Sequence, residues 1–132
     1  MSDEEIKDIL KLKRVAVVGI SRDPNKAAHQ VPKYLLEHGY DIIPVNPSAD
    51  QILGRKCYKS LEEVEGEIDI VDIFRPSDQV MPVVKEAIKK KPKVIWMQLG
   101  IRNDEAAKEA EKHGIKVVQD RCMMEEHMRL YK

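Results

Sequence analysis

Arg14-Val-Ala-Val-Val-Gly-Ile-Ser-Arg-Asp-Pro-Asn-Lys26 reads as an apolar strand that runs into a Gly/Ser turn and then toward a helix. In α/β proteins this arrangement holds nucleotide phosphates, because the N–H groups at a helix start have no intrahelical acceptor and the helix dipole is positive there. Gly19, Ile20 and Ser21 therefore mark a candidate anion site, with Ser21 read as a hydroxyl donor to phosphate. The full dinucleotide fingerprint is missing. Ser21 and Pro24 fall where a G-x-G-x-x-G pattern would carry its second and third glycines. The second strand ends in Asn46-Pro47 instead of the acid that accepts from a nicotinamide-cofactor ribose.

Outward from this stretch, strands and helices alternate. Ile6, Ile9 and Leu10 recur at helical spacing within Asp3 to Lys11, which predicts a short amphipathic helix before the first strand, Val15 to Val18. A helix over Ala27 to His38, with Pro32 in its early turns, leads to a strand at Asp41 to Val45. Asn46 to Leu53 reads as a polar loop, and Ser60 with Glu63 as a capping box heading a short helix. Further strands are expected at Ile68 to Phe74, Val94 to Leu99 and Ile115 to Val118. Between them lie a helix capped by Ser77 and running to Lys90, and one from Asn103 to His113; the tail from Cys122 to Tyr131 also reads as helical. Near-continuous Val/Ile strands separated by helices imply a parallel sheet covered on both faces. The fold class is α/β: a Rossmann-like, doubly wound sheet of about five parallel strands in a single domain, residues 1–132. Ligands of such sheets bind beyond the carboxyl ends of the strands.

The 132 residues carry 23 Lys plus Arg against 23 Asp plus Glu, so no net field draws the chain toward nucleic acid or an anionic membrane. The apolar runs are only strand-sized and the start, Met1-Ser-Asp-Glu-Glu5, has no signal-peptide character, so a cytoplasmic protein is expected. Cys57 and Cys122 match neither a redox pair nor a zinc knuckle. His38 and His113 precede helix-ending glycines and read as C-terminal caps, while His29 lies near the phosphate turn. Arg22, Lys26, Arg55, Lys56 and Arg75 fall on expected carboxyl-end loops and together favour an anionic ligand. Phe74-Arg75-Pro76 leave the third strand together. They suit either packing on a flat heterocycle or a plain strand end with Pro76 preparing the next helix. No metal-binding or hydrolase constellation is present in the sequence.

The series Val-Val-Gly19-Ile-Ser, Gly39-Tyr-Asp-Ile-Ile-Pro-Val-Asn-Pro47, Gly54-Arg-Lys-Cys-Tyr58, Asp69-Ile-Val-Asp-Ile-Phe-Arg-Pro76, Trp96-Met-Gln-Leu-Gly-Ile101 and Asp120-Arg-Cys122 strongly resembles the small, stand-alone CoA-binding proteins. These are similar in turn to the CoA-binding domain of succinyl-CoA synthetase α subunits. The resemblance spans about Lys13 to Glu125. It implies that Gly19, Ile20 and Ser21 hold phosphate with Lys26 as a cationic helper. Val45, Asn46 and Pro47, together with Phe74, Arg75 and Pro76, would then flank the adenosine. Gln98, Gly100 and Ile101 would line the pantetheine arm, and Cys122 would stand near the thiol. Where the synthetase has a Gly- and Lys-rich stretch after its second strand, this chain has Ser48-Ala-Asp50. The synthetase's phosphorylated histidine belongs to a second domain with no counterpart in these residues, so ligase chemistry by this chain alone is not expected.

The expected function is therefore non-catalytic binding of coenzyme A or an acyl-CoA as a small-molecule ligand, with neither nucleic acid nor membrane as partner. A homo-oligomer or an unidentified protein partner stays open. Two other classes also stay open: thiol/disulfide exchange between CoA and Cys122, and an NAD-type dinucleotide-binding enzyme or sensor.

Overall fold

The computed structural model describes residues 1–131. In chain order its elements are α1 (Asp3–Ile9), β1 (Arg14–Val18), α2 (Ala27–Glu37), β2 (Asp41–Val45), β3 (Gln51–Ile52), β4 (Arg55–Lys56), β5 (Ile70–Ile73), α3 (Val80–Lys90), β6 (Val94–Met97), α4 (Asp104–Lys112), β7 (Lys116–Val118) and α5 (Met123–Tyr131). Five strands form one sheet in the order β2-β1-β5-β6-β7. Every pair in it is parallel, with Val17 set between Pro44 and Asp72, and Asp72 beside Trp96.

Alternation along the strands divides the core. Val15, Val17, Ile70, Val94 and Trp96 face α1, α2 and α5 through Ile6, Ile9, Val31, Leu35 and Met123. Ala16, Val71, Ile73, Ile95 and Met97 face α3 and α4 through Val80, Val84, Ala106 and Ala110. Each such aliphatic side chain, buried fully, contributes roughly 1.5–3 kcal/mol, so both faces must be covered for the sheet to be stable. The near-continuous apolar strands carry this requirement in the sequence.

Several local expectations are corrected. The stretch read as a polar loop holds β3, which forms an antiparallel hairpin with β4. Its turn, Leu53-Gly54, has positive φ at both residues (56° and 72°), the geometry usually marked by Asn-Gly. This hairpin also moves Arg55 away from the carboxyl edge, to an ion pair with Asp41 at the opposite end of β2. Lys56 sits over the Tyr58 ring, 5.0 Å from its centroid. Ser60 makes no side-chain cap, and the helix after it is a single 3-10 turn, Leu61–Glu63; the Glu63 carboxylate accepts from the Lys59 N–H instead. Ser77 opens another 3-10 turn before α3, and its hydroxyl accepts from the Arg102 N–H. Asn103 does cap α4 by accepting from the Ala106 N–H, and His38 and His113 stand at helix C-caps. Each of these histidines uses its Nδ1 to donate to the carbonyl four residues back.

Candidate ligand-binding site

The chain leaves β1 for β2 on one side and then returns to place β5 on β1's other side. Connections thus diverge from the β1/β5 boundary, and a crevice opens beyond the carboxyl ends of these strands. A cavity of about 880 Å³ lies there, lined among others by Gly19, Ser21, Lys26, Asn46, Phe74 and Arg75. Its size falls within the roughly 300–1,000 Å³ of small-molecule sites.

Gly19 makes the crevice possible. Its φ is +86°, and a Cβ built there would lie 2.5 Å from the Phe74 carbonyl oxygen. Its N–H donates to the Val45 carbonyl, and the Phe74 N–H donates to the Val18 carbonyl, so the ends of β1, β2 and β5 are knitted together. Only a residue without a side chain permits that approach.

The Gly19–Ser21 turn is itself tied to α2 by a proline. Pro32 lies inside the helix and has no N–H to give the Ala28 carbonyl. The Ser21 N–H takes that acceptor at 3.1 Å. His29 reinforces the link, its Nδ1 standing 2.8 Å from the Ser21 carbonyl oxygen. Asn46 adds a strut from the other side: its amide donates to the Ile20 carbonyl and accepts from the Ser48 N–H. The amide standing where a dinucleotide enzyme has its ribose acid thus works within the protein.

The backbone N–H groups of Gly19 and Ser21 are therefore spent on β2 and α2. What faces the cavity is different. The Ser21 Oγ accepts from the Asp23 N–H, leaving its own proton to donate to a ligand. Lys26 is the N-cap of α2 and supplies no side-chain cap, so the first-turn N–H groups keep their partial positive charge. Among the described residues neither Arg22 nor Lys26 forms an ion pair. Arg75 donates to the Gln79 amide oxygen at 2.6 Å, which fixes its guanidinium at the rim. Ile20, Val45 and Pro47 also line the cavity; Pro76 does not.

The sequence-predicted residues farther along the edge lie outside this cavity. Gln98 is buried, donates to Asp72 and accepts from the Met123 N–H at the start of α5. Gly100 donates to the Asp120 carboxylate, and the Ile101 carbonyl accepts from the Asp120 N–H. Cys122 is buried beside them, and burial pushes its thiol up from the ordinary value, against thiolate formation. Asp72, which sequence reasoning did not single out, is fully buried, and one of its carboxylate oxygens has no hydrogen-bond partner. Burial raises its pKa to about 7, opposed by the Gln98 hydrogen bond. An acid at the third position of an otherwise apolar four-residue strand was the available signal. Lys59, Ser60 and Glu86 line the cavity and were likewise not among the expected site residues.

Among the described residues no group of three or more His, Cys, Asp or Glu side chains is placed to hold a metal ion, and no helix is long and apolar enough to cross a membrane. The chain shares 47% identity with a solved hypothetical protein from Pyrococcus horikoshii OT3 at a TM-score of 0.97, over all of this chain and 94% of that one. It is 43% identical to the uncharacterized protein YneT of Bacillus subtilis, over 96% of this chain and 94% of that protein. An ADP-forming acetate–CoA ligase of Methanocaldococcus jannaschii is 40% identical over 67% of this chain, which spans only 12% of the ligase. A family model described as a CoA binding domain matches residues 13–128, and with these likenesses it places the chain in the CoA-binding domain family.

Proposed function

We propose that this protein binds coenzyme A or an acyl-CoA reversibly and carries out no chemistry on it. The observation that carries the reading is the cavity at the β1/β5 boundary, where the Ser21 hydroxyl keeps its proton to donate and, among the described residues, Lys26 and Arg22 form no ion pair, in a chain of the CoA-binding family. The pyrophosphate would lie against Ser21 and the start of α2, where hydroxyl, ammonium and helix dipole act together. The adenosine would lie between Val45-Asn46-Pro47 and Phe74-Arg75, with Phe74 supplying an aromatic face. The pantetheine arm would leave the cavity past Pro76 and run along Leu99 to Ile101, toward Cys122. Leu99 is 62% exposed, and an apolar side chain open to water on this path suits an aliphatic arm.

Two features favour reversible binding over the other classes. Burial pushes the Cys122 thiol up from its ordinary value, which opposes exchange with a CoA disulfide. Asn46 has both ends of its amide engaged, so a nicotinamide cofactor's ribose has no acid to meet. Titration calorimetry with CoA and with NADH tests the reading. CoA is expected to bind and NADH to bind far more weakly; comparable or tighter binding of NADH would overturn it. Native mass spectrometry of gently purified protein would identify an acyl group carried through.

A further inference from the structure

The end of β2 carries a second pair of cations, Lys59 from the segment after β4 and Arg22 from the turn after β1. Tyr58 runs alongside β2, donating to the Pro44 carbonyl and accepting from the Asn46 N–H. This extra pairing sets the next residue, Lys59, over the turn that follows β2. Its ammonium donates to the Pro47 carbonyl at 3.2 Å. Its acidic neighbour is Asp50, 4.0 Å away with a fully exposed carboxylate, a pair that water screens strongly. Arg22 comes to the same region from β1's side. The Cys57 thiol beneath feels both cations, which act against the effect of its burial. Arg22, Ser48 and Lys59 all line the cavity. The acids on its wall are turned to other work: Asp23 accepts from the Asn25 N–H and Glu86 from the Glu62 N–H.

In parallel sheets of this kind the end of the second strand is where a bound nucleotide's ribose hydroxyls come to rest. An acid there accepts from two free hydroxyls, whereas a phosphorylated ribose demands cations and donors. Here the strand ends in an amide already engaged by the protein, flanked by two cations and a serine. We propose that Lys59 and Arg22, with the Ser48 hydroxyl, form a second anion site that receives the 3′-phosphate of CoA and makes the cavity select 3′-phosphorylated ADP ligands over their dephosphorylated forms. The site rests on the CoA-binding reading above and deepens it.

Titration calorimetry with CoA and dephospho-CoA at fixed ionic strength tests the assignment. The wild-type protein should bind CoA roughly tenfold or more tightly than dephospho-CoA, the range of one charge-assisted contact. Lys59→Ala should weaken CoA several-fold, leave dephospho-CoA nearly unchanged, and so narrow the ratio; Arg22→Ala should weaken CoA more than dephospho-CoA. Both side chains are largely exposed, and thermal melts should confirm that the variants stay folded. Equal wild-type affinities, or variants that weaken both ligands alike, overturn the second anion site while leaving CoA binding intact. Failure of the wild-type protein to bind either ligand overturns the CoA reading itself and this site with it.

Discussion

The carboxyl edge of the sheet has two halves built from the same materials, and they differ in what their polar groups are doing. Around β1, β2 and β5 the Ser21 hydroxyl, Arg22 and Lys26 line a cavity, and among the described residues neither cation has an ion-pair partner and the hydroxyl keeps its proton to donate. Around β6 and β7 the polar groups close on one another. Gln98 bridges Asp72 and the start of α5, Trp96 donates to the Arg121 carbonyl, and Asp120 holds Gly100. The chain path explains the contrast. Connections diverge at β1/β5, whereas β5, β6 and β7 follow in order and the segment after β7 folds back over their ends. One half is open to a ligand and the other is closed by the protein.

The contrast would break most visibly at Gly19. Gly19→Ala would combine a left-handed residue, costing roughly 1–2 kcal/mol, with overpacking against the Phe74 carbonyl, costing roughly 1–3 kcal/mol. Chemical denaturation should show a loss of about 2–5 kcal/mol, and CoA binding should vanish with it. A stable variant that binds normally would show that the close approach of β1 to β5 does not shape the cavity.

The closed half should reveal itself through pH. Asp72 has a folded pKa of about 7 against 3.8 for a free side chain, so between those values the native state holds a proton that the unfolded chain has released. Stability from this group is present at low pH, falls as pH rises through that window, and levels off above it. The total is on the order of 4 kcal/mol. Asp72→Asn should remove the fall, gaining little near pH 4 and most near pH 8 in urea denaturation. A pH dependence that the substitution leaves unchanged would contradict a buried, protonated acid at this position.

On the open half, Ser21→Ala and Lys26→Ala should weaken CoA with little change in melting temperature. Each removes a charge-assisted contact of roughly 1.5–3 kcal/mol, or about 10- to 100-fold in affinity. Calorimetry with parallel thermal melts separates this from a structural role, in which melting would drop and affinity hold.

The smallest effect is expected at Pro32. Pro32→Ala returns an N–H to the helix, which competes with Ser21 for the Ala28 carbonyl. The melting temperature should hold or rise while CoA affinity falls about two- to fivefold, within the roughly 0.5–1.5 kcal/mol of a neutral hydrogen bond. A variant with unchanged affinity would mean that Asn46 and His29 alone suffice to place the turn.

Most of the fold was legible because its signals are local and repeated. Continuous Val/Ile runs bounded by Gly, Pro and caps predict buried parallel strands, and each expected main strand lies in the sheet with ends that agree to within two residues. The β3–β4 hairpin was not legible, since strands of two residues carry no periodicity and its turn begins on a leucine. Ser60 and Ser77 show the limit of capping signatures: the spacing was right, but the backbone entered a 3-10 turn and other partners reached those groups first.

For the site, the sequence alone determined the Gly/Ser turn after β1, the absent ribose acid and the family resemblance, because these depend on residue types at fixed spacing along a strand and its adjoining turn. Tertiary structure alone decided which half of the carboxyl edge stays open. It also brought Lys59 beside Pro47, left Asp72 buried with an unpaired oxygen, and gave the Ala28 carbonyl to Ser21. Those outcomes depend on contacts between segments distant in the chain, and the order of strands in the sheet, which no local pattern encodes, sets which segments meet.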